Sequence, residues 1–178
     1  GGWHSLFVKT DGSLWAMGAN WSGQLGDGTT NDRFTPVQIT SGVTSIAAGY
    51  SHSLFIKTNG TLWAMGANDH GQLGDGTTSH KTTPVTVASN VTSVDAGLWH
   101  SLFIKKNGSL WAMGNNKDGQ LGDESYETRP SPVTVATNVT SISAGDYHSL
   151  FIKSDGSLWA MGDNRYGQLG IGSINSYV

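Results

Sequence analysis

Four histidines recur at a constant interval and are the first residues with the potential for chemistry. They lie 48 residues apart and are His4, His52, His100 and His148. Neutral imidazole is a common metal ligand and proton acceptor, so symmetry-related copies could converge on one ion. A metal site needs all its ligands close to one ion, however, and a residue present in every copy serves each copy equally. We therefore interpret the four as structural residues that hydrogen-bond a neighbouring backbone, and we predict no metal site.

The other candidate chemical groups give weak signals. Asp27 and Asp75 lie in Gly-Asp-Gly-Thr loops, which lack the dense oxygen spacing of a calcium loop and are typical of capped turns. The glycine pairs are not followed by a helix N-terminus of the kind that binds phosphate. The sequence contains no cysteine, which excludes thiol chemistry. We predict no catalytic residue and no cofactor, and therefore no enzyme.

The histidines belong to a longer repeat whose most constant part reads Ser-Leu-Trp-Ala-Met-Gly, with Thr replacing Ser in the second copy. Its tryptophans, also 48 residues apart, are Trp15, Trp63, Trp111 and Trp159. A fixed period of this size without insertions indicates a repeat architecture. Within a single domain spanning 1–178, the predicted units are approximately 1–42, 43–90, 91–138 and 139–178.

The second repeat contains four short segments with the composition of β-strands. They are 43–48, 53–57, 61–66 and 83–87. The dipeptide Asn59-Gly60 lies between the second and third segments and favours a two-residue hairpin turn. Pro84 stands at the start of the fourth segment, which is typical of an outer-edge strand.

Four antiparallel strands in about 48 residues predict one blade of a β-propeller. The second and third strands are apolar at consecutive positions, so both faces of the sheet are covered, as in a blade held between two others. The invariant tryptophans lie inside strands and are interpreted as packing residues between blades. The predicted fold is therefore all-β: a propeller segment of roughly four antiparallel blades, each four-stranded.

The copies differ mainly at two pairs of positions, in the first and third connections of each blade. One pair precedes the histidine in Gly-x-x-His, and the other lies within Asn-x-x-Gly-Gln-Leu-Gly. In an up-and-down blade these two connections open at the same end, so we expect the variable pairs to share one face of the propeller.

Large aromatic and charged side chains occupy these variable pairs. Aromatic residues and arginine on loops are common binding anchors. The alternative is drift on an unconstrained surface, since isolated exposed aromatics need no special cause. The predicted partner-binding residues are Trp3, Trp21, Tyr50, Asp69, His70, Trp99, Lys117, Asp118, Tyr147, Arg165 and Tyr166.

Charge and hydropathy limit the kind of partner. The net charge is −3 and no cluster of lysine and arginine occurs, which argues against a nucleic-acid partner. No apolar run approaches the length of a membrane span. We therefore predict a protein partner, whose identity the sequence does not indicate.

The repeat as a whole resembles that of the regulator of chromosome condensation family. The motifs that carry the resemblance are Gly-x-x-His-Ser-Leu, Asp/Asn-Gly-Ser-Leu-Trp-Ala-Met-Gly and Asn-x-x-Gly-Gln-Leu-Gly-Asp-Gly-Thr, and they cover nearly the whole chain. The resemblance implies a β-propeller, typically seven-bladed. Members of this family include a nuclear exchange factor for a small GTPase, a plant UV-B photoreceptor, a secreted β-lactamase inhibitor and many bacterial proteins of unknown role. The photoreceptor's Gly-Trp-Arg-His pattern does not occur here.

The copies are not all complete, which bears on how the ring closes. Four central hairpins are accompanied by only three Val-Thr-Ser strands and three Pro-Val strands, and residues 173–178 fit either a divergent fourth strand or a tail. A seven-bladed ring needs roughly twice this chain. Three routes to closure stay open: the chain is part of a longer protein, two copies pair into a larger ring, or four blades close alone.

The leading functional prediction is a non-catalytic protein-binding or scaffold module. One alternative is a regulator that resembles a guanine-nucleotide exchange factor of a small GTPase, which the family resemblance implies. A second is a self-associating structural subunit of an extracellular or cell-surface assembly. The near-identity of the copies indicates recent duplication, a mode of growth common in bacterial surface proteins of this resemblance. It favours a secreted location over a cytoplasmic one.

Overall fold

The computed structural model describes residues 1–175, which fold entirely into strands, turns and loops. Within that range there is no helix with the length and apolar character that a membrane crossing requires. The strands, in chain order, are β1 (His4–Val8), β2 (Leu14–Gly18), β3 (Arg33–Thr40), β4 (Val43–Ala48), β5 (His52–Lys57), β6 (Leu62–Gly66), β7 (Lys81–Ala88), β8 (Val91–Ala96), β9 (His100–Lys105), β10 (Leu110–Gly114), β11 (Arg129–Ala136), β12 (Val139–Ala144), β13 (His148–Lys153) and β14 (Leu158–Gly162).

The strands form four antiparallel sheets, which we number blades 1 to 4. Blade 1 contains β1–β3, blade 2 contains β4–β7, blade 3 contains β8–β11 and blade 4 contains β12–β14. In every blade the strands lie side by side in the order of the sequence. The predicted propeller segment of about four blades is thereby confirmed. Of the stretch 173–178, predicted as strand or tail, residues 173–175 are not in a strand, and the rest lies outside the described residues.

Blade 2 shows how closely the predicted strands match the observed ones. The predicted segment 43–48 coincides with β4, whereas β7 is longer than the predicted 83–87. Pro84 consequently lies inside β7 and not at its start, which corrects the prediction. The pairing of β6 with β7 shifts register between Ala64 and Gly66. An edge strand with such a bulge tolerates a residue that has no amide proton.

Apolar side chains fill the interfaces between adjacent blades, which we call seams. The seam between blades 1 and 2 contains Leu14, Val43, Phe55 and Met65, and the next two seams hold corresponding clusters. Met65 packs against Gly26 of blade 1, where a Cβ atom would lie 2.5 Å from the Met65 sulfur. Gly26 also has a φ of +76°, so both the backbone conformation and the close packing require glycine.

Each invariant tryptophan stacks on a phenylalanine of its own blade. The ring centroids of Phe55 and Trp63 are 6.2 Å apart with their planes 2° from parallel, and the Lys57 ammonium lies 5.3 Å from the Trp63 centroid. The same phenylalanine–tryptophan–lysine stack recurs in the other three blades. Trp63 also packs against the cluster between blades 1 and 2, so it contributes to packing between blades.

The indole N–H groups of these tryptophans differ in one copy of the repeat. In blades 1, 3 and 4 the indole Nε1 donates to a serine hydroxyl two residues earlier, at 2.8 to 3.0 Å. Blade 2 has Thr61 at that position, and Trp63 Nε1 is buried without a hydrogen-bond partner. Because threonine is branched at Cβ, its χ1 is more restricted than that of serine. The Ser-to-Thr difference noted in the sequence therefore leaves one buried donor unsatisfied.

We expect Thr61→Ser to stabilise the protein by about 1 kcal/mol, because it supplies the missing acceptor for Trp63 Nε1. The free energy of unfolding, measured by denaturant titration, checks this. The matched control is Ser109→Thr, which removes the corresponding bond from Trp111 and should destabilise by a similar amount. An unchanged or lower stability of the Thr61→Ser variant would contradict this account.

Candidate functional site

Two connections of each blade meet at one end of the propeller, which we call the loop face. In blade 2 they are 49–51, between β4 and β5, and 67–80, between β6 and β7. The Ala67 N–H donates to the Ser51 carbonyl at 2.8 Å, and corresponding bonds join the two connections in the other blades. The short hairpin turns, such as 58–61, lie at the opposite end, the turn face. Both variable pairs of every blade therefore lie on the loop face.

A buried asparagine organises the longer of these connections. In blade 2 the Asn68 Nδ2 donates to Asp75 Oδ1 at 3.1 Å and to the Thr77 carbonyl at 3.0 Å. Its Oδ1 accepts from the Leu73 N–H at 3.0 Å, and the residue has no exposed surface. The corresponding residues are Asn20, Asn116 and Asn164. Sequence reasoning missed this role, although the invariance of the residue in Asn-x-x-Gly was a usable signal.

The aspartates of the Gly-Asp-Gly-Thr loops accept several hydrogen bonds. Asp75 accepts from the Thr77 N–H and hydroxyl and pairs with Lys81 at 3.1 Å. Burial alone would raise the pKa of Asp75, but the bonds from Thr77, Lys81 and Asn68 outweigh it and lower that pKa. Asp27 forms the corresponding pair with Arg33. These aspartates thus anchor the loop to the start of the outer strand.

A buried serine hydroxyl bridges each seam near the loop face. Ser101 of blade 3 lies 3.0 Å from His52 Nε2 and donates to the Gln72 carbonyl at 2.8 Å, both in blade 2. We call this arrangement a seam triad. It recurs as His4–Ser53–Gln24 and His100–Ser149–Gln120. Because Gln72 belongs to the longer connection of blade 2, the triad fixes that connection against blade 3.

For His4, His52 and His100, the seam triads correct the predicted partner, which is a serine hydroxyl and not a backbone group. Because the Ser101 hydroxyl uses its proton on Gln72, it accepts from His52, which assigns the proton of His52 to Nε2. The Nδ1 atoms of His4, His52 and His100 are buried without a partner. Burial lowers the pKa of His52 and His100 to about 3 and that of His4 to about 4. Their folded form is therefore neutral above these values.

Three of the predicted aromatic residues form a cluster over blades 1 and 2, which we call cluster A. Trp3 makes edge contacts with Trp21 and Tyr50, at centroid distances of 6.4 and 6.5 Å. Trp3 and Trp21 expose 59% and 52% of their surface. Cluster A thus presents a group of adjacent indole and phenol rings to solvent.

A second cluster spans blades 2, 3 and 4, which we call cluster B. The Trp99 ring lies 5.1 Å from the His70 ring and 5.8 Å from the Tyr147 ring. All three side chains are half-buried. His70 lies in the longer connection of blade 2, whereas Trp99 and Tyr147 lie in the first connections of blades 3 and 4, so cluster B crosses two seams.

The remaining predicted residues of the site are mostly charged and lie on the same face outside these ring contacts. Asp69 Oδ2 lies 2.9 Å from His80 Nε2, and Arg165 makes a two-pronged contact with Asp163 at 2.9 and 3.0 Å. Tyr166 is 92% exposed and belongs to neither cluster.

Lys117 and Asp118 occupy the variable pair of blade 3. Burial and then the positive charge of Lys117 lower the pKa of His70. Lys117 is exposed, and Asp118 is half-buried, with its N–H donating to Gln120 Oε1 at 3.0 Å. Among residues 1–175, no group of three histidine or acidic side chains is arranged to hold a metal ion. What the described geometry offers is ring faces, carboxylates and a few cations for contact with another molecule.

Comparison with known proteins gives a family match along the chain. The family model described as the RCC1-like domain matches residues 1–178. A search of curated protein sequences gave no match.

Solved structures share the fold. Human WBSCR16 superposes with a TM-score of 0.86 at 23% identity, over 98% of this chain and 49% of that one. A chain in the complex of Kap60 with yeast RCC1 (Prp20) gives 0.86 at 25% identity, over 99% and 45%. Prp20p from Saccharomyces cerevisiae gives 0.85 at 23% identity, over 98% and 46%. The chain thus spans about half the length of these structures.

The seam triads predict a loss of stability in mild acid. Each triad histidine of the unfolded chain binds a proton below its ordinary pKa of 6.5, whereas the folded chain does not bind it until the pH approaches 3 to 4. The unfolded state therefore holds more protons over this interval. The free energy of unfolding should fall by up to about 1.4 kcal/mol per pH unit for each histidine as the pH drops below 6.5. Denaturant titrations between pH 7.5 and 5 test this.

Two variants separate titration from packing in that experiment. His52→Gln keeps a donor for Ser101 but does not titrate, so its stability should depend less steeply on pH. Ser101→Ala removes the bridge and lowers stability at every pH, yet should keep the full pH slope. Equal slopes for the wild type and His52→Gln would show that His52 is not responsible.

Proposed function

Since the chain belongs to the RCC1-like domain family, we propose that it is a non-catalytic protein-binding module that acts as one propeller segment. Its binding surface is the loop face, and its anchors are the aromatic residues of clusters A and B with the charged residues beside them. This extends the general character of the fold, a scaffold for protein binding, to particular side chains of this chain.

Cluster B is the observation that carries the proposal. Its rings meet across two seams, with Trp99 and Tyr147 edge to face and His70 tilted against Trp99. The seam triad holds the connection that bears His70 against blade 3, the blade of Trp99. Rings fixed in this way lose little conformational entropy on binding, which makes them effective anchors. Aromatic residues that meet from three successive blades favour binding over random drift of an unconstrained surface.

We expect the double variant Trp99→Ala/Tyr147→Ala to weaken partner binding about thirtyfold or more, since interface tryptophans and tyrosines often contribute 2 kcal/mol or more. The half-buried rings lie at the surface, so the midpoint of thermal unfolding should change little. The loss of partner binding is measured in extracts of cells that express the chain, by quantitative cross-linking and mass spectrometry of the captured proteins. Calorimetry measures the midpoint of thermal unfolding.

The control for that experiment is Phe34→Ala. Phe34 is 97% exposed near the start of β3, the edge strand of blade 1, and belongs to neither aromatic cluster, so its loss should leave capture unchanged. If Trp99→Ala/Tyr147→Ala captures the same proteins as the wild type, the loop face is not the binding surface. If capture and thermal stability fall together, the rings serve packing and the proposal fails.

A second candidate function is guanine-nucleotide exchange on a small GTPase. Its support is family membership, together with the similarity to Prp20p, which was studied for its binding to Gsp1p and histones. An exchange factor should accelerate release of a fluorescent GDP analogue from its GTPase by several orders of magnitude at micromolar concentration. Absence of acceleration dismisses this candidate for the GTPase tested.

A further inference from the structure

We propose that the loop face binds a polypeptide segment rich in lysine or arginine, with the aromatic rings of cluster B as the central contact. This inference rests on the proposed function and specifies the chemistry of the partner. Its support is the unequal distribution of charge between the loop face and the turn face, and the position of the remaining carboxylates relative to the rings.

The ionisable residues are divided unequally between the two faces. The loop face carries five basic residues, at the variable pairs or at the start of an outer strand: Arg33, Lys81, Lys117, Arg129 and Arg165. It carries ten acidic residues: Asp27, Asp32, Asp69, Asp75, Asp118, Asp123, Glu124, Glu127, Asp146 and Asp163. The turn face carries Asp11 and Asp155 together with Lys9, Lys57, Lys105, Lys106 and Lys153. A modest net charge of −3 thus conceals an acidic face and a basic face.

Internal ion pairs make the loop face more acidic in effect than this division suggests. Four of its five cations lie within 3.1 Å of an aspartate carboxylate, as Arg33–Asp27, Lys81–Asp75, Arg129–Asp123 and Arg165–Asp163. Lys117 is the one loop-face cation of the described chain without such a pair. The carboxylates outside these pairs are Asp32, Asp69, Asp118, Glu124, Glu127 and Asp146, of which Asp69 also contacts His80 Nε2 at 2.9 Å. Their combined field attracts a cationic partner.

Three of those carboxylates lie beside cluster B. Asp69 precedes His70 and Asp146 precedes Tyr147 in the chain, and the Asp146 carbonyl accepts from the Leu98 N–H at 3.2 Å. Asp118 occupies the same position of the repeat as His70, and Tyr147 the same position as Trp99. The rings of cluster B are therefore bordered by three carboxylates, one on each blade that contributes a ring, and by one cation, Lys117, whose charge acts on His70.

Ring faces and carboxylates together select cations. The face of an indole or phenol ring carries the negative end of its quadrupole and attracts ammonium and guanidinium groups. The protein uses the same contact internally, because four lysine ammonium groups lie 3.9 to 5.3 Å from tryptophan centroids at the turn face. A lysine or arginine side chain placed over cluster B would gain both this attraction and the nearby carboxylates.

The arrangement suits a chain with several cations better than a single small cation. Clusters A and B lie on successive blades, and the unpaired carboxylates are distributed over blades 1 to 4. A basic segment that crosses the loop face reaches several of these groups at once, so individually weak contacts add up. An acidic segment would be repelled by the carboxylates at the same positions.

The test uses a fluorescently labelled decalysine peptide, with a decaglutamate peptide as its counterpart. We expect decalysine to bind the wild-type chain, decaglutamate not to bind, and decalysine affinity to fall as salt is added. Asp118→Asn/Asp146→Asn should weaken decalysine binding about tenfold, at about 0.7 kcal/mol per carboxylate. Trp99→Leu keeps an apolar side chain without a ring face and should weaken binding about fivefold.

The matched control is Asp11→Asn/Asp155→Asn, which changes the net charge by the same amount on the turn face. Asparagine stands at the corresponding turn position in repeats 2 and 3, so the fold accepts it, and decalysine binding should be unchanged. Equal losses for the two double variants would show attraction to overall charge and overturn the proposal, as would unchanged binding by Trp99→Leu. Failure to bind decalysine, while Trp99→Ala/Tyr147→Ala still abolishes partner capture, would refute the basic partner but leave the proposed function intact.

Discussion

A single buried hydroxyl group holds each pair of neighbouring blades in register. The Ser101 hydroxyl accepts a hydrogen bond from His52 and donates one to the carbonyl of Gln72, and both of these residues belong to the preceding blade. The strand that begins with the histidine and the loop that contains Gln-Leu-Gly are thereby tied to one point on the next sheet. Apolar side chains fill the seam, but the hydrophobic effect is non-directional and does not fix how one blade is placed against the next. The hydroxyl does, because its one proton and its lone pairs must each find a particular partner.

The loop face inherits its order from this constraint. Asn68 shapes the longer connection internally, and the seam triad then places that whole connection against the adjacent blade. The variable residues stand on a backbone whose own hydrogen bonds are satisfied, so they are free to differ between copies without disturbing the fold. This separation of roles is common in repeat proteins, where an invariant frame presents variable side chains.

Much of this architecture could be predicted from the sequence, for physical reasons. The fixed period and the doubly apolar strands indicate a blade, and β4 coincides with its predicted segment. A hairpin lies where Asn59-Gly60 predicts it, but only Gly60 has a positive φ, so the turn is not the predicted two-residue type. Contacts between blades were harder to predict. The partner of His52 is Ser101, 49 positions further along the chain and in the next blade. The strand and turn patterns of a single blade therefore do not identify it. Pro84 lies inside its strand because a bulge in the β6–β7 pairing accommodates a residue that has no N–H to donate. Such a bulge has no single sequence signature.

The candidate site, too, could be predicted from the sequence only in part. Strand polarity was enough to place the variable pairs on one face, since an antiparallel sheet fixes where each connection emerges. Which rings touch depends on the angle and spacing between blades, and so the separation into clusters A and B emerged only in three dimensions.

The close fit of Met65 against Gly26 has a chemical consequence for the seams. The chain has no thiol, so thioethers are its most readily oxidised sulfur groups, and those of Met65 and Met113 are fully enclosed. A sulfoxide oxygen has no room beside the glycine backbone, so peroxide reaches these sulfurs only when adjacent blades part. The rate at which Met65 and Met113 are oxidised therefore reports how often the propeller opens between its blades, without any label being introduced.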